Sequence, residues 1–291
     1  MRDTLTRTPD TSERLPSDRL PLASFAATGA SVNVASVDTN SVPVSAAAFH
    51  AIDCDFDSAA WDRGETRDLL ASGIGGVVLN RLPAHTVLLS PALETDAPVT
   101  RAVIAAPDGA DRAALESLHD QGVRGIRFQF GHADLADALR CAEHVVPLGW
   151  HIEFDLSGVG SIAPLVTAEW TLMQFPQAVC LTGLGAAISP EQPDPAAVEF
   201  MQALVHTGRT WIKLTGADLA LAPAVLAVRK NRLLWGSGTK DPCGKNSAGS
   251  SAQPRQTGVR AALQNLADAI PDPDDRATVL VHNPACLYDF H

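Results

Sequence analysis

Two stretches of this 291-residue chain set acids and bases at a spacing of two, and two more add single cations. DCDFD puts Asp53, Asp55 and Asp57 on one face of an extended segment. HIEFDL separates His151, Glu153 and Asp155 from Ile152, Phe154 and Leu156. In WIKLT the aliphatic pair Ile212 and Leu214 suits packing, so Lys213 belongs to the opposite face with Trp211 and Thr215. VRGIRFQF adds Arg127 and Gln129, which share a face with Gly125. Charges gathered this way can do three things. Carboxylates crowded in a low-dielectric site shift in pKa and can serve as a general acid and base. Aspartates with room for water suit a hard divalent cation, Mg²⁺, Mn²⁺ or Ca²⁺, far better than zinc. Acids and bases can also neutralise one another in an internal salt-bridge network. The residues alone leave all three open. A serine triad is excluded for want of a G-x-S-x-G elbow. His50, His151 and His282 read as structural histidines, and Cys54 and Cys180 as small core residues.

The segments that must position these groups alternate in kind. Short apolar runs at 49–55, 75–80, 100–106, 123–130, 150–156, 178–183, 210–216 and 232–237 read as strands. Helical patterns lie between them at 63–73, 109–122, 133–149, 161–175 and 194–208, and a last one covers 257–270. Many begin after Asp or Ser and stop at Gly. The weakest units are the second helix, 82–96, and the seventh, 217–230. Strand–helix alternation predicts parallel strands with right-handed crossovers. Eight such units in about 250 residues predict an α/β fold, a single (β/α)8 barrel over 48–291. No G-x-G-x-x-G or P-loop follows the first strand, which argues against a nucleotide-binding open sheet. Residues 1–47 read as a flexible, largely irregular arm with a strand near 31–37. Residues 238–257 read as a long loop at the C-terminal end of strand eight, where barrel active-site loops sit.

Composition narrows the partners. A net charge of -11 disfavours nucleic acid and anionic membranes. No apolar run suits a signal peptide or a membrane span. Five cysteines with no C-x-x-C pair predict neither a disulfide framework nor a thiolate zinc site, and point to the cytoplasm. The oligomeric state is not legible.

Several phrases resemble the amidohydrolase-related (amidohydrolase-2) barrels, above all their 2-pyrone-4,6-dicarboxylate lactonase branch: GVRGIRFQF, LGWHIEFDL, WIKLTGA, NRLLWGSG and the closing HNPACLYDF. The resemblance spans about residues 49–291 and implies hydrolysis of an ester, lactone or amide at the C-terminal mouth of the barrel. It also exposes departures. Relatives carry H-x-H after strand one, where this chain has Asp55 and Asp57. Strand five ends in Asp155 where relatives often have histidine. Gly183 stands in place of the strand-six histidine, and Gly238 in place of the strand-eight aspartate that acts as base. Asp241, three residues further on, is a candidate to swing in for that base.

The expectation is a lactonase-like hydrolase of a small carboxylate-bearing cyclic ester that needs no cofactor and no metal. Asp55, Asp57, Asp155 and Asp241 are the catalytic candidates. Arg127, Lys213, Ser237 and Gln129 are the candidates for holding substrate, because guanidinium and ammonium groups match carboxylates. The alternative is an inactive amidohydrolase-like barrel that binds a ligand or partner.

Overall fold

The apolar runs become strands because each buries both faces, one toward the barrel axis and one toward the helices. They are β1 (Ala51–Asp57), β2 (Ile74–Leu82), β3 (Val99–Ala105), β4 (Val123–Gln129), β5 (His151–Asp155), β6 (Val179–Thr182), β7 (Thr210–Thr215) and β8 (Leu233–Gly236). The computed structural model describes residues 51–57, 67–82, 98–107, 109–189, 192–238 and 255–290. The eight strands form one parallel sheet in sequence order, and β8 returns to lie against β1. This is the (β/α)8 barrel. The expected arm, residues 83–96 of the second helix and 239–254 of the long loop lie outside the described residues, as do His50, Asp241 and the side chain of Asp57.

Helices form where expected. They cover Arg67–Ala71, Arg112–Asp120, Leu135–Val145, Ala163–Gln174, Pro195–His206 and Arg255–Ala269. Asp111, Asp134 and Asp194 cap three of them by accepting a backbone N–H. The seventh unit is a 3₁₀ turn, Gly216–Leu221, that runs into a short helix, Ala222–Leu226. The helix expected at 257–270 starts at Arg255, two residues earlier.

Two apolar clusters follow from the alternation. One lies between strands and helices and includes Phe56, Ile126, Phe154, Ile212 and Trp235. The other fills the barrel: Ile52, Cys54, Val78, Val103, Cys180, Trp211 and Leu234, closed below by Tyr288 and Phe290. The closing motif explains that plug. Asn283 donates to the carbonyls of Lys230 and Leu233 at 2.8 and 2.7 Å, which ties the C-terminal helix Asn283–Tyr288 under β8.

Strand β1 departs from strict alternation. Asp53 pairs with Val77 but Phe56 with Leu79, so β1 carries one extra residue there. The bulge corrects the reading of one aspartate face. Cys54 joins the interior cluster, while its neighbour Asp55 also reaches the interior cations. Asp53 turns to the β8 seam instead, where it accepts from Ser237 N at 2.9 Å and Asp55 N at 3.0 Å. No backbone ladder joins β8 to β1 among the described residues, so this carboxyl bridges the seam. The strands approach so closely there that a Cβ on Gly236 would stand 2.4 Å from Asp55 Cβ.

Candidate active site

Above the apolar plug, inward side chains of β1, β2, β4, β5 and β7 form one ion cluster. Lys213 Nζ lies 2.7 Å from Glu153 Oε2, donates to Cys54 O at 3.1 Å and stands 4.0 Å from Asp55 Oδ1. Arg127 lies next to it. Its Nη2 donates to Asp155 Oδ2 at 2.7 Å, and its Nη1 is 2.9 Å from Glu153 Oε1 and 3.6 Å from Asp55 Oδ1. Gln129 Nε2 donates to Asp155 O at 2.9 Å, and Ser157 N to Asp155 Oδ1 at 3.0 Å. Asn80 on β2, paired in register with Asp57 at the end of β1, donates its Nδ2 to Cys54 O at 3.1 Å and to Asp55 Oδ1.

The faces assigned to β4, β5 and β7 therefore hold. The cluster brings Asp55, Asp155, Arg127, Lys213 and Gln129 together. Ser237 lies beside it at Asp53, to which its backbone N–H donates. Two further polar residues, one in the cluster and one beside it, were not singled out from the sequence. Asn80 had a weak signal, as the polar residue closing the apolar run GGVVLN. Asp218 had only its place just past β7.

Electrostatics divides the acids. Burial opposes ionisation of Glu153, but Lys213 and Arg127 outweigh it and lower its pKa. Burial also opposes ionisation of Asp155, and Arg127 with the Ser157 N–H reverses this and holds its carboxyl well below the usual range. The same carboxylates raise Lys213 and Arg127 against the pull of burial. Both cations are thus held charged and committed to internal partners. Asp218 behaves oppositely. It is 7% exposed, and burial pushes its pKa up to about 6, although the Leu184 and Gly185 N–H groups favour its charged form and Asp55 adds repulsion. Asp53 is likewise raised by burial.

The described residues do not fit the zinc that the H-x-H of relatives would hold. Among the described residues no three His, Cys, Asp or Glu side chains group as metal ligands. Asp55 and Glu153 already face an ammonium and a guanidinium within 4.0 Å, and Asp155 the guanidinium, which would repel a further cation. Gly183 and Gly238 are fitted to their backbone. Gly183 has φ +71 and its added Cβ would meet Ser157 N at 2.8 Å. Gly238 has φ +61 and its added Cβ would meet Thr215 Cβ at 2.9 Å. Four cysteines, Cys54, Cys141, Cys180 and Cys286, are free thiols. No helix among the described residues is long and apolar enough to cross a membrane.

Barrel, C-terminal plug and charged mouth define a (β/α)8-barrel protein with its ionisable groups gathered at one end. The amidohydrolase family model matches residues 87–290, and the chain belongs to that family. Among solved structures it is similar to a protein from Pseudomonas putida that carries the name 2-pyrone-4,6-dicarboxylic acid hydrolase: 20% identity, TM-score 0.59, over 84% of this chain and 99% of that one. A protein of the same name from Acinetobacter baumannii, with citric acid bound, matches at 16% identity and TM-score 0.60, over 83% and 100%. A dihydroorotase from Campylobacter jejuni matches at 10% identity and TM-score 0.55, over 83% and 84%. At these identities the likeness is one of fold. No curated protein matches the chain by sequence.

Proposed function

We propose that the chain is a lactonase-like hydrolase of a small, carboxylate-bearing cyclic ester, acting at the C-terminal mouth without a resident metal. One observation carries this: two carboxyl groups at the mouth have pKa values driven apart, Asp155 far down and Asp218 up to about 6. Environments that split a pair in this way divide its roles. Asp218 is the proton acceptor for the attacking water, since its pKa lies close to neutral pH. Asp155 stays ionised and is too weak a base to compete; it orients Arg127. Asp55, held by Asn80 and facing both cations, orients the water, and Asp57 and Asp241 remain candidates beside it. Gln129 and Ser237 meet the substrate carboxylate, and Arg127 adds its charge there while it stays paired with Asp155. Lys213, fully buried against Glu153, supports that set from below. A folding neighbour that bears a lactone-hydrolase name and another that binds citric acid support a polycarboxylate substrate class. The free cysteines support a reducing, cytoplasmic setting.

The test is turnover of 2-pyrone-4,6-dicarboxylate and simpler carboxylated lactones after exhaustive chelation. Turnover should persist, with kcat/KM rising through a pH near 6, and Asp218→Asn should lower kcat by about 10²-fold or more. Loss of turnover on chelation would defeat the metal-free mechanism. A second reading, an inactive ligand-binding barrel, is favoured by the commitment of Lys213 and Arg127 to internal carboxylates. It takes the lead if no lactone turns over while calorimetry still registers dicarboxylate binding.

A further inference from the structure

The opposite, N-terminal end of the barrel holds a cavity of mixed polar and apolar lining, whose floor residue His151 lies two residues before Glu153 on β5. It measures about 370 Å³ and is lined by Trp150, His151, Gln177, Arg209, Trp211 and Arg232 among others. That volume is in the range of small-molecule pockets. Three arginines gather around the Gly208 turn. Arg232 Nε donates to Gly208 O at 2.6 Å, and its guanidinium lies 4.6 Å from the centroid of the Trp211 ring. A Cβ on Gly208 would stand 2.9 Å from Arg229 Nη1. Arg209 donates to Phe175 O. Among the described residues none of the three has a carboxylate within 4.0 Å. The chain does not lack acids: neighbouring Lys230 pairs with Asp275 at 2.7 Å. Three guanidiniums left without acids in a chain of net charge -11 are an unspent positive field.

The floor of the cavity supplies an independent observation. His151 is 1% exposed, and neither ring nitrogen has a hydrogen-bond partner; Gln177 Oε1 has none either. Buried polar groups are rarely left so, because each orphan costs about 1–3 kcal/mol. Burial lowers the His151 pKa to about 4, so at neutral pH the ring offers one N–H and one lone pair.

We infer that this N-terminal cavity binds a small molecule bearing an oxyanion, with Arg209 and Arg232 holding the anionic head, Arg229 adding its charge from beside Gly208, and His151 and Gln177 meeting polar atoms at the floor. Guanidinium groups bind carboxylate and phosphate alike through paired N–H donors, so the probes must distinguish the two. Cys286, an exposed free thiol on the rim, reports occupancy.

The experiment titrates the full chain calorimetrically with inorganic phosphate and with benzoate, and follows iodoacetamide alkylation of Cys286 by peptide mass spectrometry. Saturable binding of one probe should slow Cys286 alkylation and leave Cys141 unaffected. Arg209→Gln with Arg232→Gln should weaken binding at least about tenfold and abolish the protection. Arg209→Gln alone, at an exposed side chain, gives the same direction should the double variant fail to fold. The inference is overturned if neither probe binds, if Cys286 reacts equally fast at saturation, or if the folded variants bind like the parent. Lactone turnover at the other end of the barrel is independent of each outcome.

Discussion

Lys213 Nζ rests 2.7 Å from Glu153 Oε2, and neither side chain has any solvent exposure. The pair ties β7 to β5 across the barrel interior, and Arg127 and Asp55 complete its surroundings. A buried ion pair contributes little net stability when intact, because desolvation offsets attraction; removing one partner strands the other.

Lys213→Met should therefore destabilise the protein by about 3–5 kcal/mol. Adding Glu153→Gln should recover a large part of the loss. Denaturant unfolding of the two variants checks this. Equal destabilisation in single and double variants would show that the loss comes from packing rather than from the stranded carboxylate.

Asp218 makes stability depend on pH in an unusual direction. Its folded pKa, about 6, exceeds the ordinary 3.8, so the folded state holds its proton more tightly. Its contribution is full below pH 3.8 and lost as pH rises through 6. Asp218→Asn, neutral at every pH, should stabilise the protein by about 1–2 kcal/mol at pH 8, discounted for partial solvation, and by little at pH 4. Melting curves at the two pH values decide it. Asp155 has the opposite sign, because its depressed pKa gives stability that disappears as pH falls below 3.8.

Gly236→Ala should destabilise by at least about 2 kcal/mol, because its Cβ would overlap Asp55 Cβ and stand 2.9 Å from Asp55 N. An alanine variant that melts like the parent would show that the β1–β8 seam can open at no cost.

Purified protein should hold far less than one zinc per chain by elemental analysis. The variant Gly183→His with Gly238→Asp should gain none, since both positions have positive φ and no room for a side chain. About one zinc per chain after mild dialysis, in either protein, would overturn the reading of the donor set.

The sequence by itself determined the barrel, because it is written in local signals: eight short apolar runs, Asp caps before helices and Gly after them. It also determined which faces of β4, β5 and β7 turn inward, since a period of two fixes side-chain direction as soon as one face is aliphatic. Strand β1 was legible only in part. A bulge depends on pairing with β2 and leaves no local mark in DCDFD, so Asp53 and Asp55 could not be told apart. Whether Arg127 and Lys213 faced a ligand or internal carboxylates also depended on distances between residues far apart in the chain, such as Glu153 and Lys213. Asp218 shows the same limit. Its raised pKa arises from burial and from the repulsion of Asp55, against backbone N–H groups of Leu184 and Gly185 that favour the charged form, all from residues far away in the chain. Charge identity is a local property of sequence, whereas desolvation and pairing exist only once the strands have closed around the axis.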